Sequence, residues 1–341
     1  MVAKTVKRKV RISYILVLLA MMTFVLSASG LIPESVVENI YARRVFPMIS
    51  HIAGIVADAL PYSWLDIFIV TQVAILITAI RFRSWRFIIG LIAAAYLFFF
   101  WSWGLNYHRQ GIETKLGIDA GRVSPEQIDE FARIAAGELN RLWPMTEIGS
   151  TTAEMMAQQS ADRVRAVIAK LDGTDWPAAS RIKRSWLINP WFRVAGIDGM
   201  FNPMVHEPIV VTGLLGFERP FVMSHELAHV RGYPDEGDAN VAALLATVSS
   251  DDPIFQYSGW FHVWLYLRTP ELDDLLEDGP RLDLQLYTLR AQAQQIPWVS
   301  NFQTVMLDIF LKANDVDEGV RSYARLVTFA VASRARWDEF R

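Results

Sequence analysis

The first third of the chain contains three long apolar runs, which constrain the fold more than any other feature of the sequence. They occupy residues 12–32, 64–80 and 87–105, and the only charged side chain among them is Asp66, near the start of the second run. A helix of about 20 apolar residues crosses the hydrocarbon core of a bilayer. The sequence therefore predicts three transmembrane helices in a membrane region of residues 1–110, with the lipid bilayer as a partner.

Lysine and arginine residues flank these runs unevenly. Five of them and no acidic residue precede position 12, and the loop after the second run contains Arg81, Arg83 and Arg86. Because positively charged loops remain cytoplasmic, the N-terminus is predicted to be cytoplasmic and the chain after residue 105 to be extracytoplasmic. Small residues at positions 27–30 also fit a cleavable signal peptide, although an uncleaved anchor is preferred.

Residues 111–341 have the composition of a globular domain, and most of its segments carry helix signals. Residues 185–187 and 208–212 are predicted as short strands because they are rich in β-branched and aromatic side chains. Residues 41–60, between the first two apolar runs, are predicted to form an interfacial helix. The predicted fold is thus mainly α: three transmembrane helices, then a mostly helical domain with a small β element. Within that domain, helices are predicted at residues 125–142, 152–171, 220–231, 236–248, 254–267, 281–295, 303–312 and 319–334.

Composition limits the chemistry that this domain can perform. The chain has no cysteine, which excludes disulfides, thiolate zinc fingers, iron–sulfur clusters and thiol catalysis. Any metal site must therefore be built from His, Asp and Glu. The formal net charge of −3 gives no indication of a nucleic-acid partner.

The most informative segment is a His-Glu-x-x-His pattern at residues 225–229. His225 and His229 are four residues apart, so on a helix both project from one face and can bind a single zinc ion. Glu226 follows the first histidine and can reach a water molecule at the metal, which is the arrangement of a zinc hydrolase. The helix is predicted to end at Gly232, shortly after the second histidine.

An acidic residue from the next predicted helix can supply a third ligand. Glu236 and Asp238 are two residues apart, so they point in different directions on a helix and only one can reach the metal. Glu236 is favoured because its side chain is longer and begins the pattern Glu-x-x-Ala-Asn, and Asp238 remains the alternative. Asn240 lies on the same face as Glu236 and could hydrogen-bond a ligand histidine.

Several motifs resemble those of the DUF3810 family of bacterial membrane proteins, which are regarded as zincin-like metallopeptidase relatives. The similar segments are residues 61–63 (Pro-Tyr-Ser), 103–107 (Trp-Gly-Leu-Asn-Tyr), 225–240, 257–259 (Tyr-Ser-Gly) and 311–323. The resemblance implies a zincin-like fold for residues 111–341. The Glu-x-x-Ala-Asn element is also similar to that of gluzincin peptidases, which implies that Glu236 is the third zinc ligand and that Asn240 supports the site. Asp238 departs from the pattern, in which glutamate is expected.

These observations predict a membrane-anchored zinc metallopeptidase that hydrolyses peptide bonds of a protein or peptide at the outer face of the bacterial cytoplasmic membrane. Glu226 would be the general base, and residues 208–212 could present an edge strand to the substrate. An oxyanion donor is also required. The candidates are Tyr257, the first choice, and His262, Tyr233 and Arg231.

A non-catalytic envelope protein is the alternative, in which zinc only joins two helices of a scaffold or sensor. A closed structural site would require a fourth protein ligand, and His206 or His262 could supply it. Glu226 favours the enzyme, because a structural site needs ligands but no general base.

Overall fold

The computed structural model describes residues 2–82, 85–146, 152–314, 316, 319 and 325–341, with side chains from residue 12 onward. The described chain is mainly helical, as predicted. Its N-terminal third forms α1 (Val2–Ala28), α2 (Glu34–Val36), a π-helix (Val37–Val45), α3 (Phe46–Asp58), α4 (Trp64–Arg81) and α5 (Trp85–Ser102).

The remainder of the chain adds further helices and one small sheet in its described part. Three 3₁₀ helices lie at Gly104–His108, Ala120–Arg122 and Arg334–Phe340. The other elements are α6 (Ile112–Leu116), α7 (Pro125–Thr146), α8 (Ala153–Asp172), α9 (Asn189–Ala195), β1 (Gly199–Asn202), β2 (Glu207–Val210), α10 (Arg219–Val230), α11 (Glu236–Val248), α12 (Pro253–Leu267), α13 (Pro270–Asp273), α14 (Asp278–Gln294), α15 (Pro297–Ala313) and α16 (Arg325–Ser333).

Two of the three predicted spans correspond to helices that are long and apolar enough to cross a membrane. These are α4 and α5, whereas the apolar segment of α1, Ile12–Ala28, is shorter. Helix α1 packs along α5 at Gly90, where a Cβ atom would lie 2.7 Å from the hydroxyl oxygen of Ser13. Arg83, which contributes to the predicted orientation, lies outside the described residues.

The segment predicted as an interfacial helix is helical, but it is also part of a hydrophobic core. Phe46 at the start of α3 is fully buried and packs in one cluster with Phe100 of α5, Trp176 and Val230 of α10. Its ring meets that of Trp176 edge to face at 5.7 Å between centroids. The N-terminal helices and the rest of the chain therefore share buried apolar side chains.

A buried carboxylate joins the start of α4 to the sheet. Glu207, the first residue of β2, accepts hydrogen bonds from the Ser63 hydroxyl at 2.8 Å and from the backbone N–H of Trp64 at 2.9 Å. The first N–H groups of a helix have no partner within the helix, so Glu207 satisfies groups that would otherwise be buried unpaired. This contact fixes the N-terminal end of the second predicted span against the sheet.

The prediction of a strand at residues 185–187 is wrong. The backbone N–H of Trp186 donates to the Asp66 carboxylate at 2.8 Å, and the Ser185 hydroxyl donates to the same side chain. The chain therefore bends around Asp66. Strand propensity depends strongly on context, and this long-range partner is not visible in the local sequence.

The sheet consists of β1 and β2, which pair antiparallel with Met200 opposite Ile209. The prediction of a strand at residues 208–212 is confirmed in its first part, and β1 was not predicted. Lys183 forms a parallel bridge with Ile209 on the other side of β2. Strand β2 therefore lies inside, and β1 forms the outer edge.

The largest hydrophobic core surrounds α11, which packs against α8, α10, α12 and α16. Nearly every residue of α11 after Glu236 is buried. Gly259 allows α12 to approach closely, because a Cβ atom there would lie 2.5 Å from the hydroxyl oxygen of Thr247. A helix buried on all sides provides a rigid support for the side chains at its N-terminus.

Candidate metal centre

Two buried helices and the turn between them position the His-Glu-x-x-His segment. Helix α10 ends at Val230, and α11 begins at Glu236 after Asp235, whose carboxylate caps it by accepting the N–H of Asp238 at 2.9 Å. Gly232 in the turn has a φ of +81°, and a Cβ atom there would lie 2.6 Å from the Phe46 ring. Glycine is required for both reasons: backbone conformation and space.

The turn brings three side chains together. His225 Nε2 lies 3.0 Å from Glu236 Oε2, His229 Nε2 lies 3.4 Å from the same oxygen, and the two Nε2 atoms are 3.1 Å apart. All three ligand atoms lie within 4.8 Å of one another. Two imidazole nitrogens and one carboxylate oxygen are a donor set that suits zinc, and three protein ligands leave a position for water or substrate.

The outer nitrogen of each histidine is held by a hydrogen-bond acceptor. His225 Nδ1 donates to Asn240 Oδ1 at 2.9 Å, and His229 Nδ1 donates to the backbone oxygen of Tyr233 at 2.7 Å. In the neutral imidazole, a proton on Nδ1 leaves the lone pair on Nε2. In their neutral forms both rings therefore direct the Nε2 lone pair toward Glu236, which is the tautomer that metal binding requires.

The electrostatics of the cluster favour a positive charge beside a carboxylate. Burial opposes the ionisation of Glu236, but the adjacent His229 and His225 outweigh it and lower the pKa of Glu236. Burial would lower the pKa of His229, but Glu236 raises this pKa to about 9. The site thus stabilises an ionised carboxylate together with a cationic partner, whether a proton or a metal ion.

Glu226 lies beside this cluster without being part of it. Its side chain is buried, and Oε2 has no hydrogen-bond partner. Burial raises the pKa of Glu226 to about 7, although His225 and His229 act in the opposite direction. Its Cδ atom lies against β1, where a Cβ atom on Gly199 would be only 2.8 Å away. Gly199 therefore leaves room for a free carboxylate next to the histidines.

Asp238, the alternative third ligand, is turned away from the histidines. Its carboxylate accepts the backbone N–H of Ile112 at 3.3 Å, and the side chain lies near Asp235. Burial and the charge of Asp235 raise the pKa of Asp238 to about 7. The structure therefore groups Glu236, and not Asp238, with the two histidines.

A cavity of about 800 Å³ opens in front of the cluster. Glu226 and the three clustered side chains line one side, and β1 and α15 line others. The prediction that residues 208–212 supply the edge strand is wrong, because β2 lies between β1 and Lys183. Instead, β1 has its unpaired edge at the cavity. The sequence did not predict β1, because Gly199 and Asn202 have low strand propensity.

The four predicted oxyanion donors lie in different places. The hydroxyl of Tyr257 donates to Asp283 at 2.8 Å, that of Tyr233 donates to Asp172 at 2.6 Å, and Arg231 donates to the backbone oxygen of Trp176. All three side chains are buried away from the cavity wall.

His262 does line the cavity, where it stacks on Phe221 with ring centroids 4.1 Å apart. Burial lowers its pKa to about 4, and its Nδ1 donates to the backbone oxygen of Ser258. A neutral ring with the proton on Nδ1 has only an acceptor at Nε2, so His262 is not an oxyanion donor in this state.

Tyr107 and Tyr266 line the cavity and were not predicted as site residues. Burial raises the pKa of both, and the negative charge of Glu236 adds to the effect, so both hydroxyls keep their protons. Tyr107 belongs to the segment at residues 103–107 that carried the family resemblance, which is the one signal in the sequence that could have identified it.

His206, the other residue considered as a fourth ligand, lies elsewhere. Its ring stacks on Phe46 at 5.6 Å between centroids, and neither ring nitrogen has a hydrogen-bond partner. Among the described residues, the cluster of candidate ligands that includes the two site histidines has three members.

A buried network of charges supports the turn between α10 and α11. Arg109 donates to the backbone oxygen of Gly232 at 2.9 Å and to Asp172 at 3.0 Å, and Lys115 lies 2.6 Å from both Asp172 and Glu38. Although Arg109 follows the third apolar run by only a few residues, its side chain is buried among these partners. We define Glu38, Arg109, Lys115 and Asp172 as the ion-pair cluster.

Fold and site together define a mainly helical protein that has two apolar helices able to span a membrane and a buried cluster of two histidines and one glutamate. Over residues 41–331 the chain matches the sequence family described as "Protein of unknown function (DUF3810)". Because the match covers most of the chain, the protein belongs to this family. No curated protein and no solved structure matches the chain.

Proposed function

We propose that the protein is a membrane-anchored zinc metallopeptidase that hydrolyses peptide bonds at the outer face of the bacterial cytoplasmic membrane. The observation that carries the proposal is the convergence of His225 Nε2, His229 Nε2 and Glu236 Oε2 within 4.8 Å of one another. The free carboxylate of Glu226 beside them supplies the remaining group that hydrolysis needs.

Each polar residue of the site has a role in this proposal. When bound, zinc polarises the scissile carbonyl and lowers the pKa of its water to about 7. Glu226 accepts a proton from the attacking water and delivers it to the leaving amine. Asn240 and the Tyr233 backbone oxygen hold the two histidines in the tautomer that presents Nε2.

The cavity and the outer edge of β1 suit an extended peptide. The N–H of Val211 donates to the oxygen of Asp198 at 2.9 Å, so the antiparallel alternation directs the backbone groups of Gly199 and Phe201 away from β2. An added strand can pair with these groups next to Glu226. Tyr107 and Tyr266 are then the hydroxyl donors on the cavity wall for the developing oxyanion.

The membrane topology is also part of the proposal. Helices α4 and α5 span the bilayer, and α1, which packs along α5, inserts beside them. The cations near position 81 and in the N-terminal segment remain cytoplasmic, which places the metal centre outside. The non-catalytic alternative gives no role to Glu226, whose buried and unpaired carboxylate oxygen is costly to maintain.

The substitution Glu226→Gln tests the proposal in the full-length protein, purified in mild detergent. We expect loss of at least 100-fold in hydrolysis of a quenched-fluorescence peptide library, while bound zinc stays at the wild-type level, because Glu226 is not a ligand. Glu130→Gln on the exposed surface of α7 is the matched control and should retain full activity.

Two outcomes would contradict the proposal. If Glu226→Gln hydrolysed peptides as fast as the wild type, Glu226 would not be the general base. If the wild type retained zinc but cleaved no peptide in the library, the non-catalytic alternative would be favoured.

A further inference from the structure

Helix α15 exposes a continuous apolar face. Five of its exposed apolar residues follow one another at intervals of four, three, one and three positions. This spacing places them on one side of the helix. Their side chains are between 46% and 71% exposed. The residues of this apolar face are Trp298, Phe302, Val305, Met306 and Ile309. An exposed apolar surface of this kind marks an interaction site.

Another side of the same helix lines the cavity of the metal centre. The cavity-lining residues of α15 are Ser300, Gln303, Thr304, Leu307 and Phe310. The first four lie on a different side of the helix from the apolar face, and Phe310 lies at the edge of that face, next to Met306. Helix α15 therefore separates the cavity from the surroundings of the apolar face.

The apolar face continues onto the end of α5. The ring of Phe310 lies 6.3 Å from that of Phe99 in α5 and 6.4 Å from that of Tyr107. Phe98 and Trp101, also near the end of α5, are about half exposed. If α5 spans the membrane, these side chains face lipid near its outer surface, and α15 lies at the same level.

A second pair of exposed aromatic side chains, Tyr62 and Trp186, lies at the start of α4. Trp186 is 71% exposed, packs against the Tyr62 ring at 5.2 Å, and is held by Asp66 of α4. The segment that follows Trp186 leads into α9, and the N–H of Ile296 before α15 donates to the oxygen of Val194 in α9. Exposed tryptophan and tyrosine side chains are typical of the membrane–water interface.

We propose that α15 lies in the outer interface of the bilayer, with its apolar face in contact with lipid. The cavity of the metal centre then opens at the membrane surface, between β1 and α15. This inference rests on the proposed function and specifies its substrate class: proteins anchored in the same membrane, cleaved in an extended segment close to the bilayer surface. The bilayer is the occupant that fits, because Phe310 at the edge of the face packs on α5, a candidate spanning helix.

Lipid contact can be measured without any activity. The chain has no cysteine, so single variants such as Phe302→Cys, Val305→Cys and Ile309→Cys can each carry one fluorescent label. The full-length protein is placed in nanodiscs of phosphatidylcholine and phosphatidylglycerol. Lipid-attached nitroxide should quench these three labels several-fold more than labels from Glu130→Cys and Glu154→Cys, at exposed positions of α7 and α8.

This experiment has two contradicting results. Stronger quenching of the three apolar positions by aqueous iodide than by the lipid nitroxide would place the face in water. Protection of these positions from both quenchers would show that protein, either a second copy of the chain or a partner, covers the face.

A second experiment tests the substrate class. One peptide sequence that the enzyme cleaves is presented in two forms, free in solution and tethered to lipid in the nanodisc. The double variant Phe302→Ser/Ile309→Ser should reduce cleavage of the tethered peptide at least five-fold and leave cleavage of the free peptide unchanged, because neither residue lines the cavity. The double variant Ile134→Ser/Met155→Ser, at exposed apolar positions of α7 and α8, is the control.

Equal loss with both peptides, or no loss with the tethered peptide, would overturn the assignment of substrate class. If the proposed function itself were wrong, no form of the peptide would be cleaved, while the quenching pattern on α15 would remain. The two failures are therefore distinguishable.

Discussion

At the scale of single residues, a buried polar group without a hydrogen-bond partner indicates local strain or a functional role. Glu226 is one such group, and its place beside two histidines fits its proposed role as general base. His206 is another, with a φ of +55° and both ring nitrogens unpaired, yet it lies between the rings of Phe46 and Phe201. Left-handed backbone is unfavourable for residues other than glycine, asparagine and aspartate.

The buried ring of His206 should make the protein less stable in acid. Burial lowers its pKa to about 4, whereas the unfolded chain binds this proton near pH 6.5. The unfolded state therefore gains a proton first as the pH falls, and the free energy of unfolding should decrease by about 1.4 kcal/mol for each pH unit between 6.5 and about 4. Denaturant unfolding of the zinc-loaded protein at pH 7 and pH 5 measures this loss.

The variant His206→Asn separates this effect from other titrating groups, because asparagine tolerates the left-handed conformation and does not titrate. Between pH 7 and pH 5 the wild type should lose about 2 kcal/mol more than the variant. An identical loss in the two proteins would show that His206 is protonated equally in both states.

At the scale of elements, the ion-pair cluster holds the π-helix, α6 and α8 to the turn that joins α10 and α11. Arg109 is its central member, since it contacts Glu38, Asp172 and the backbone oxygen of Gly232. Removing one partner from a buried ion pair leaves an uncompensated charge. The cluster therefore acts on both the stability of the fold and the position of the candidate metal ligands.

The substitution Arg109→Met should lower the free energy of unfolding by about 3–5 kcal/mol, because Glu38 and Asp172 lose a buried cation. It should also weaken zinc binding, since the turn before Glu236 loses its hydrogen bond from Arg109. Denaturant unfolding and zinc titration in detergent measure the two effects.

Arg122→Met is the matched control, because Arg122 pairs with Asp119 at the surface, where both side chains are mostly exposed. It should change stability by less than about 1 kcal/mol. A similarly small effect of Arg109→Met would show that the ion-pair cluster does not support the fold.

Helices with local end signals could be predicted from the sequence. Ser124 and Gln127 form a capping box at the start of α7, with hydrogen bonds of 2.8 and 3.3 Å. Thr152 caps the start of α8, and Gly173, with a φ of +67°, caps its end. Capping involves residues a few positions apart, so a single sequence contains the information. His225 and His229 are also only four residues apart, so their position on one helix face could be predicted in the same way.

Features that depend on distant residues could not be predicted. Strand β1 has weak local propensity and exists because β2 pairs with it. Arg109 and Asp172 are separated by 63 positions, and no local pattern joins them. For the same reason, the position of the Tyr257 hydroxyl could not be predicted. It donates to Asp283 on another helix and is therefore directed away from the cavity.

At the scale of the whole molecule, the structure joins the N-terminal helices to the rest of the chain more closely than separate regions 1–110 and 111–341 would suggest. Trp103, which follows α5, donates its indole N–H to the backbone oxygen of His229 at 3.1 Å. Phe46 of α3 packs against the turn after α10. Helix α3 and the residue that follows α5 thus contact the segment that carries His225 and His229, which agrees with the proposed site at the membrane surface.

The central claim is that His225, His229 and Glu236 share one zinc ion, and X-ray absorption at the zinc edge tests it most directly. The full-length protein in detergent should retain about one zinc per chain, with nitrogen and oxygen ligands, including two imidazoles, at about 2.0–2.2 Å. Glu236→Gln should weaken binding and alter the spectrum, whereas Asp238→Asn should leave both unchanged. Absence of retained zinc, or a spectrum that changes only with Asp238→Asn, would contradict the account.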